Sequence, residues 1–436
     1  MKAYSDSSAL TRAPRWMAWM LLAPMAMSVA AQTTHHVPAD FPTIQDAIDA
    51  ASEGDTVLVS PGTYFERIVV HGKNLVLRSS DGPEVTTIDG EHLGTVVTFE
   101  PGVTRETVLE GFTLTHGDGW NNAGGVLIAS SSPVIRGNVI EWNLGAGSGN
   151  GITVLHSSAL IEGNTIRENH NNEYFVGGGG GGGIYAGGCP MQVIHSGSCG
   201  PEIRGNLIEA NTVDRFSSGG GINLFSGGNA MVIGNIIRRN TAPSQGAAIA
   251  VFNYGNVVIE NNLIVENIVS LENGAGGGIY SASSPRIVNN TIVANRSASG
   301  SGIYSAGGEP ELHNNIVVAE PGVSAIECDN YPGGQPPALT HNNVVATDAA
   351  VYAGICADVT GNDGNISVQP VFAGPGDYRL ALGSSGIDAG WNNASFEATD
   401  LLGAFRISDG DSDGDSRIDM GAYEFVPDTL FFNGFE

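Results

Sequence analysis

The sequence predicts an all-β solenoid, in which short strands coil once per repeat and each coil stacks on the previous one. An asparagine flanked by apolar residues recurs eight times, at steps of 26, 42, 29, 27, 28, 25 and 27 residues. A period of this size indicates one supersecondary unit stacked on itself. A glycine-rich apolar segment recurs between the asparagines, and neither segment shows a helical period. The recurring asparagines are Asn138, Asn164, Asn206, Asn235, Asn262, Asn290, Asn315 and Asn342.

Each repeat holds two or three short strands. The asparagine segment reads PVIRGNVIEWN from Pro133 and PRIVNNTIVAN from Pro285, and the glycine segment reads GGGIY at residues 181–185 and 276–280. No helix fits between these strands, so each is expected to pair in parallel with its equivalent in the next coil. About twelve coils at the parallel spacing of about 4.8 Å predict a rod on the order of 55–60 Å long.

The asparagines are predicted to be structural rather than catalytic. Asparagine tolerates left-handed turns, and amides stacked in register hydrogen-bond along the solenoid axis. An early copy of the repeat, at residues 107–117, has Phe112 where the asparagine would stand. The glycines are expected to allow sharp turns at the corners.

The start of the chain is predicted to hold an export signal followed by a cap. Residues 1–31 combine three basic residues with a short apolar run from Trp16 to Val29, too short for a comfortable membrane span. No integral span is expected in the mature chain. Residues 41–51 are predicted to form a capping helix, with Ile44 and Ile48 on its apolar face and Thr43 at its start.

Charge and cysteine content limit the function classes. The formal net charge is −27. Residues 1–31 hold three basic and one acidic residue, so the mature chain is more acidic still, and nucleic acid is excluded as a partner. Four cysteines predict two disulfides in an exported protein. Of three possible connectivities, the short loops Cys189–Cys199 and Cys328–Cys356 are favoured, and no zinc-ligand spacing is present.

The opening VPADFPTIQDAI from Val37, followed by PGTY from Pro61, resembles right-handed parallel β-helix proteins of the pectin lyase-like superfamily. The resemblance extends over roughly residues 37–346, and we expect the β-helix to occupy residues 32–346. It is specific for the fold and says little about activity.

The C-terminal part carries a second resemblance. DYRL from Asp377 and DMGAYE from Asp419 resemble the tail segment of large bacterial exported β-helix proteins, some of which have surface-anchoring modules of the choice-of-anchor type. We therefore expect a cap or anchor segment at 347–427. The tail at 428–436 resembles a terminal tag on exported proteins of Gram-negative bacteria, which implies an extracellular, cell-surface or periplasmic location.

One acidic loop is a candidate calcium site. Alternating carboxylates before a glycine turn place several oxygens around one Ca²⁺. The twelfth position of the loop is Met420 rather than the glutamate of an EF-hand, and a solvated loop explains the same pattern. Calcium is the only cofactor that the sequence suggests. The candidate ligands are Asp409, Asp411, Asp413 and Asp415.

Weaker candidates for polysaccharide chemistry lie in early loops. His116 and Asp118 are candidate catalytic residues, and Trp120, Trp142 and Tyr174 are candidate sugar-binding aromatics. An ordinary polar loop explains them equally well. The paired motifs of pectinesterases and polygalacturonases are missing. A uronate lyase must neutralise a carboxylate, commonly with Ca²⁺, arginine or lysine.

Two functions therefore stay open. The first is an exported protein that binds polysaccharide or cell-envelope glycan without catalysis. The alternative is a polysaccharide lyase or glycoside hydrolase with its site on the long face of the solenoid. The fold alone does not decide between them, and the sequence leaves the oligomeric state undetermined.

Overall fold

The computed structural model describes residues 31–427 except 120–122, 146–148, 172–179, 189–198, 215–216, 226–227, 253–254 and 330–334. The predicted export signal, apart from Ala31, and the predicted tail lie outside the described residues. From Thr33 onward, the described residues form one compact unit.

This unit is a parallel β-helix built from three long sheets, here named A, B and C in the order in which one coil visits them. Sheet A has 12 strands, and sheets B and C have 11 each within the described residues. The predicted number of about twelve coils is slightly too high. The first strand, Thr34–Val37, belongs to sheet A alone and does not begin a full coil.

The strands of each sheet follow one another at one per coil. Sheet A contains Thr34–Val37, Thr56–Val59, Val76–Ser79, Val108–Glu110, Val134–Arg136, Leu160–Glu162, Glu202–Arg204, Ala230–Ile233, Val257–Glu260, Arg286–Val288, Glu311–His313 and Ala338–Thr340. Sheet B contains Gly62–Tyr64, Thr86–Asp89, Thr113–Thr115, Val139–Glu141, Thr165–Arg167, Leu207–Glu209, Ile236–Arg238, Leu263–Val265, Thr291–Val293, Ile316–Val318 and Asn343–Val345. Sheet C contains Ile68–Val70, Val97–Phe99, Val126–Ala129, Ile152–Leu155, Ile184–Gly187, Ile222–Phe225, Ile249–Phe252, Ile279–Ala282, Ile303–Ser305, Ile326–Cys328 and Tyr352–Gly354.

Short strands supplement the long sheets. Between sheets B and C, a three-stranded parallel sheet contains Asp118–Gly119, Leu144–Gly145 and His170–Asn171, and a two-stranded one contains Thr241–Ala242 and Ile268–Val269. After the solenoid, Phe372–Gly374 and Asp377–Leu380 pair antiparallel.

Alternating side chains explain why the coils stack. Ile135, Ile161 and Ile203 occupy the same position in successive coils of sheet A and are fully buried, while their neighbours along each strand point outward. Burying one such side chain stabilises the fold by roughly 1.5–3 kcal/mol. The repeated apolar pair in the sequence is therefore the core of the solenoid.

The predicted asparagine ladder is confirmed at the corner between sheets A and B. Asn206 shows its geometry, because its Nδ2 donates to Asn235 Oδ1 at 3.0 Å and its Oδ1 accepts from the backbone N–H of Asn164 at 2.9 Å. Phe112 begins the ladder by donating its backbone N–H to Asn138 Oδ1, 3.0 Å away. A second ladder runs at the next corner through Asn143, Asn169, Asn211, Asn240, Asn267 and Asn295.

The predicted capping helix is also confirmed. It spans Ile44–Ala50, and the Thr43 hydroxyl accepts from the backbone N–H of Asp46 at 3.1 Å. Ile44 and Ile48 are buried against the first coils. The helix thus covers apolar surface at the edge of the solenoid, where an exposed edge invites pairing with another chain.

A disulfide joins Cys328 and Cys356, as predicted. Cys199 is also disulfide-bonded, while its predicted partner, Cys189, lies outside the described residues. In the part of the chain that the structure describes, no helix is long and apolar enough to span a membrane.

The chain returns along the solenoid after its last coil. Residues 387–425, here named the strap, lie over the corner between sheets A and B in the later coils. Within the strap, the backbone N–H of Leu401 donates to the carbonyl of Ala422. Ala422 also packs with Leu263 and Val293 of sheet B. The strap therefore covers outward side chains that would otherwise be exposed to solvent.

Candidate functional site

Three of the predicted residues, His116, Asp118 and Trp142, lie where the chain leaves sheet B for sheet C. His116, Trp142 and Glu168 each follow a sheet B strand in successive coils, with φ values of 52°, 56° and 54°. These left-handed turns lead into the short strands, where Asp118 is in register with Leu144 and Leu144 with His170. We name this region the corner and define it by His116, Asp118, Trp142, Glu168 and His170.

A histidine–carboxylate pair forms one end of the corner. His116 Nδ1 lies 2.9 Å from Asp89 Oδ2, and the side chains are 44% and 15% exposed respectively. Burial of Asp89 opposes its ionisation, but hydrogen bonds from the His116 ring and the Glu91 backbone, with the nearby imidazoles, outweigh burial and lower the pKa of Asp89. Asp89 therefore holds the imidazole in one orientation.

The sequence analysis singled out His116 and Asp118 in one loop, whereas the structure pairs His116 with Asp89 from the preceding coil. Asp118 Oδ1 is buried and has no hydrogen-bond partner among the described residues. Asp89 lies 27 residues before His116, which is one repeat. The solenoid period itself was the signal that would have identified this partner.

An exposed aromatic ring forms the centre of the corner. Trp142 is 50% exposed, and its ring centroid lies 6.2 Å from that of His170. His170 Nε2 is 3.9 Å from Glu168 Oε2. A left-handed turn thus presents a tryptophan beside groups that donate and accept hydrogen bonds. The other predicted aromatics, Trp120 and Tyr174, lie outside the described residues.

The acidic loop is placed in the strap, away from sheets B and C of the early coils. The ligand atoms of Asp409, Asp411 and Asp388 lie within 4.8 Å of one another. Asp413 and Asp415 are not in this group. The Asp413 carboxylate accepts from the backbone N–H of Asp415 at 2.8 Å, and Asp415 Oδ2 lies 2.7 Å from Arg417. Sequence reasoning missed Asp388 because it lies 21 residues before the loop.

Several arginines on the strands are paired with glutamates one coil away. Arg136 Nη2 lies 3.1 Å from Glu110 Oε2, and Arg167 Nε lies 2.7 Å from Glu141 Oε2. The pairing continues at Arg238, which lies 2.7 Å from Glu209. Such exposed pairs contribute about 0–1 kcal/mol each. Their main effect is to cancel positive charge along sheets A and B.

A row of aromatic rings on sheet C was missed by sequence reasoning. Ring centroids are 6.0 Å apart for Phe225 and Phe252, 5.3 Å for Phe252 and Tyr280, and 5.6 Å for Tyr280 and Tyr304. The Tyr280 and Tyr304 rings are nearly parallel and stack face to face. Burial, with nearby carboxylates, raises the pKa of Tyr304 to about 12. The row chiefly stabilises the stacking of coils.

Comparisons with known proteins agree with this architecture. The family model "Right handed beta helix region" matches residues 150–333. The chain therefore has a right-handed parallel β-helix fold. No curated protein sequence matches it.

Similar solved structures include the pectate lyase Pel9A, at 13% identity and a TM-score of 0.50, with 87% of this chain and 90% of that chain covered. A PL6 family polysaccharide lyase from Pseudopedobacter saltans is similar at 15% identity and a TM-score of 0.36, with coverage of 77% and 91%. At these identities the likeness shows the fold alone.

Proposed function

We propose that the protein is an exported carbohydrate-binding protein whose ligand docks at the corner. The observation that carries the proposal is the half-exposed Trp142 on a left-handed turn. Large aromatic side chains are mostly buried. A ring held outward beside His116, Glu168 and His170 has the character of a sugar platform, with an apolar surface to stack on and polar groups to orient hydroxyls.

Other observations are consistent with this proposal. The similar solved structures named above are polysaccharide lyases, which act on carbohydrates. The Cys328–Cys356 disulfide fits an oxidising compartment outside the cytoplasm. The predicted export signal at residues 1–31 gives the route, and a polysaccharide or cell-envelope glycan is the expected partner.

The proposal is tested by binding of the purified chain to a glycan array, followed by titration of the best ligand. Trp142→Ala is expected to weaken binding at least tenfold. The matched control is Phe405→Ala, because Phe405 is a 76% exposed aromatic residue in the strap and not in the corner. Equal binding by wild type and Trp142→Ala, with both proteins folded, would remove the corner as the binding site.

A second candidate function is a polysaccharide lyase or hydrolase, and the Asp89–His116 pair favours it. A carboxylate that orients an imidazole leaves the second ring nitrogen for proton transfer, as in general acid–base catalysis. Wild type and His116→Ala would be compared for new reducing ends and unsaturated products from a polysaccharide panel. Products from wild type that disappear in the variant would establish catalysis at the corner.

We also propose that Asp388, Asp409 and Asp411 hold a calcium ion that stabilises the strap. Their oxygens are close enough to surround one cation, and carboxylate oxygens are the ligands that Ca²⁺ prefers. Calcium is expected to raise the melting temperature of wild type and to leave Asp409→Asn/Asp411→Asn less affected. An unchanged melting temperature on adding calcium to metal-free protein would refute the site.

A further inference from the structure

We infer that the corner selects uncharged glycans and rejects chains that carry carboxylates or sulfates. This inference rests on the proposed function, because it names the ligand class of the same site. It also sets the protein apart from the pectate lyase whose fold it shares.

The fixed charges of the corner are negative. Glu168 follows its sheet B strand at the position that Trp142 occupies one coil earlier, and its carboxylate lies 3.9 Å from His170. Asp118 lies on the same short sheet, and Asp89 is paired with His116. A glycan stacked on the Trp142 ring lies among these carboxylates, so each anionic sugar in that position is repelled.

The arginines nearest to the corner along the chain are already paired with glutamates. Between residues 106 and 203 the sequence contains only two arginines and no lysine. Both arginines lie on strands rather than in the corner, Arg136 in sheet A and Arg167 in sheet B. Each is paired with a glutamate one coil earlier, at 3.1 Å and 2.7 Å. Recruiting either arginine to a ligand would break an existing ion pair and leave a glutamate unpaired.

An uncharged glycan is not repelled by these carboxylates and does not require an arginine to leave its ion pair. Its hydroxyls hydrogen-bond to carboxylates and imidazoles, and its C–H faces stack on the indole ring. The arrangement therefore discriminates by repelling the wrong ligand as well as by accepting the right one.

The test uses pairs of polymers that share a backbone and differ in charge. Hydroxyethylcellulose is compared with carboxymethylcellulose, and highly methyl-esterified pectin with demethylated pectin, using the full purified chain in EDTA at pH 7 and low salt. At least one uncharged polymer is expected to bind about tenfold or more tighter than its anionic counterpart. The difference is expected to shrink at high salt, where charges are screened.

Equal or tighter binding of both anionic polymers would overturn the selectivity and leave the glycan-binding function standing. If none of these polymers binds, while a wider glycan array also shows no ligand that depends on Trp142, the proposed function fails along with the inference.

A charge variant separates repulsion from shape. Glu168→Gln is expected to raise affinity for the anionic polymers severalfold. The control is Glu309→Gln, at an exposed glutamate of a later coil, which removes the same charge from the molecule but not from the corner. A rise of the same size in both variants would show that net charge, rather than the corner, controls discrimination.

Discussion

Residues with a positive φ determine which side chains each turn of the coil exposes. At the corner between sheets A and B, the residue before the ladder asparagine has a positive φ in successive coils. In the earlier coils this residue is a glycine, and in the later coils it is Asn261, Asn289, Asn314 or His341. The glycines are Gly137, Gly163, Gly205 and Gly234. Side chains at this position therefore appear only in the later coils.

The ladder asparagines allow a prediction at the residue scale. Asn206→Ala is expected to lower the free energy of unfolding by about 1–3 kcal/mol, because it leaves the buried N–H of Asn164 and the carbonyl of Ile161 without their partners. Urea unfolding measures the loss. The control is the exposed Asn256→Ala, expected to stay within about 0.5 kcal/mol of wild type. Equal effects of the two substitutions would contradict a stabilising ladder.

At the scale of elements, the strap is held by Asn261 and Asn314. These residues stand between sheets A and B at the position that is a glycine in the earlier coils. Asn314 Oδ1 accepts from the backbone N–H of Trp391 at 2.8 Å, and Asn314 Nδ2 donates to the Trp391 carbonyl at 3.2 Å. Asn261 Nδ2 donates to the Thr399 carbonyl at 2.8 Å. Asn261 and Asn314 thus form the hydrogen bonds that solvent would otherwise form with the strap backbone.

Removing one of these contacts tests the docking of the strap. Asn314→Gly keeps a residue that tolerates φ of 55° but deletes both hydrogen bonds to Trp391, so faster proteolysis within residues 387–425 is expected. Gly163→Asn is the matched control, because Gly163 also has a positive φ and open space around it. Unchanged proteolysis of Asn314→Gly would show that the strap is held by other contacts.

Buried charged groups within the strap make its stability depend on pH. Arg406 Nη1 lies 2.7 Å from Glu424 Oε1, and both side chains are almost fully buried. Asp419 donates its backbone N–H to Glu424 and accepts from the backbone N–H of Asp388 at 2.7 Å. Burial raises the pKa of Asp419 to about 7. Burial and the Asp419 charge raise that of Glu424 to about 8.

A raised pKa means that the folded state binds the proton more tightly than the unfolded chain does. The stability from these carboxyls is fully present below about pH 4 and is lost as pH rises towards about 8. Burial lowers the pKa of His313 and His341, which acts in the opposite direction below their ordinary pKa. The prediction therefore concerns a difference between two proteins. Glu424→Gln is expected to lose less stability than wild type between pH 6.5 and 8 in urea unfolding, and parallel profiles would refute it.

At the scale of the whole molecule, 45 acidic residues face 18 basic ones. The exposed arginine–glutamate pairs are worth about 0–1 kcal/mol each, and salt weakens them. Self-repulsion of the excess negative charge also falls with salt. Because acidic residues outnumber basic ones by this margin, raising NaCl from 10 to 200 mM in EDTA is expected to increase the melting temperature. A decrease, measured by calorimetry, would show that the ion pairs dominate.

Much of the fold was predictable because its causes are local and periodic. The apolar pairs, the ladder asparagines and the helix beginning after Thr43 all act within one repeat or between equivalent positions of adjacent repeats. The partner of His116 could also have been predicted from the repeat, since Asp89 is one repeat away. It was missed because the carboxylate nearest in sequence, Asp118, was preferred to the one nearest in register.

The sequence by itself determined the parallel β-helix, its ladder and its capping helix, because a repeat that recurs every 25–29 residues in most steps has few ways to bury its apolar face. Only the tertiary structure decided that Trp142 stands exposed beside His170, and that the strap returns over Asn261 and Asn314. These contacts depend on the direction in which each turn aims its side chain and on the path of the chain after the last coil. Neither is encoded in a local period.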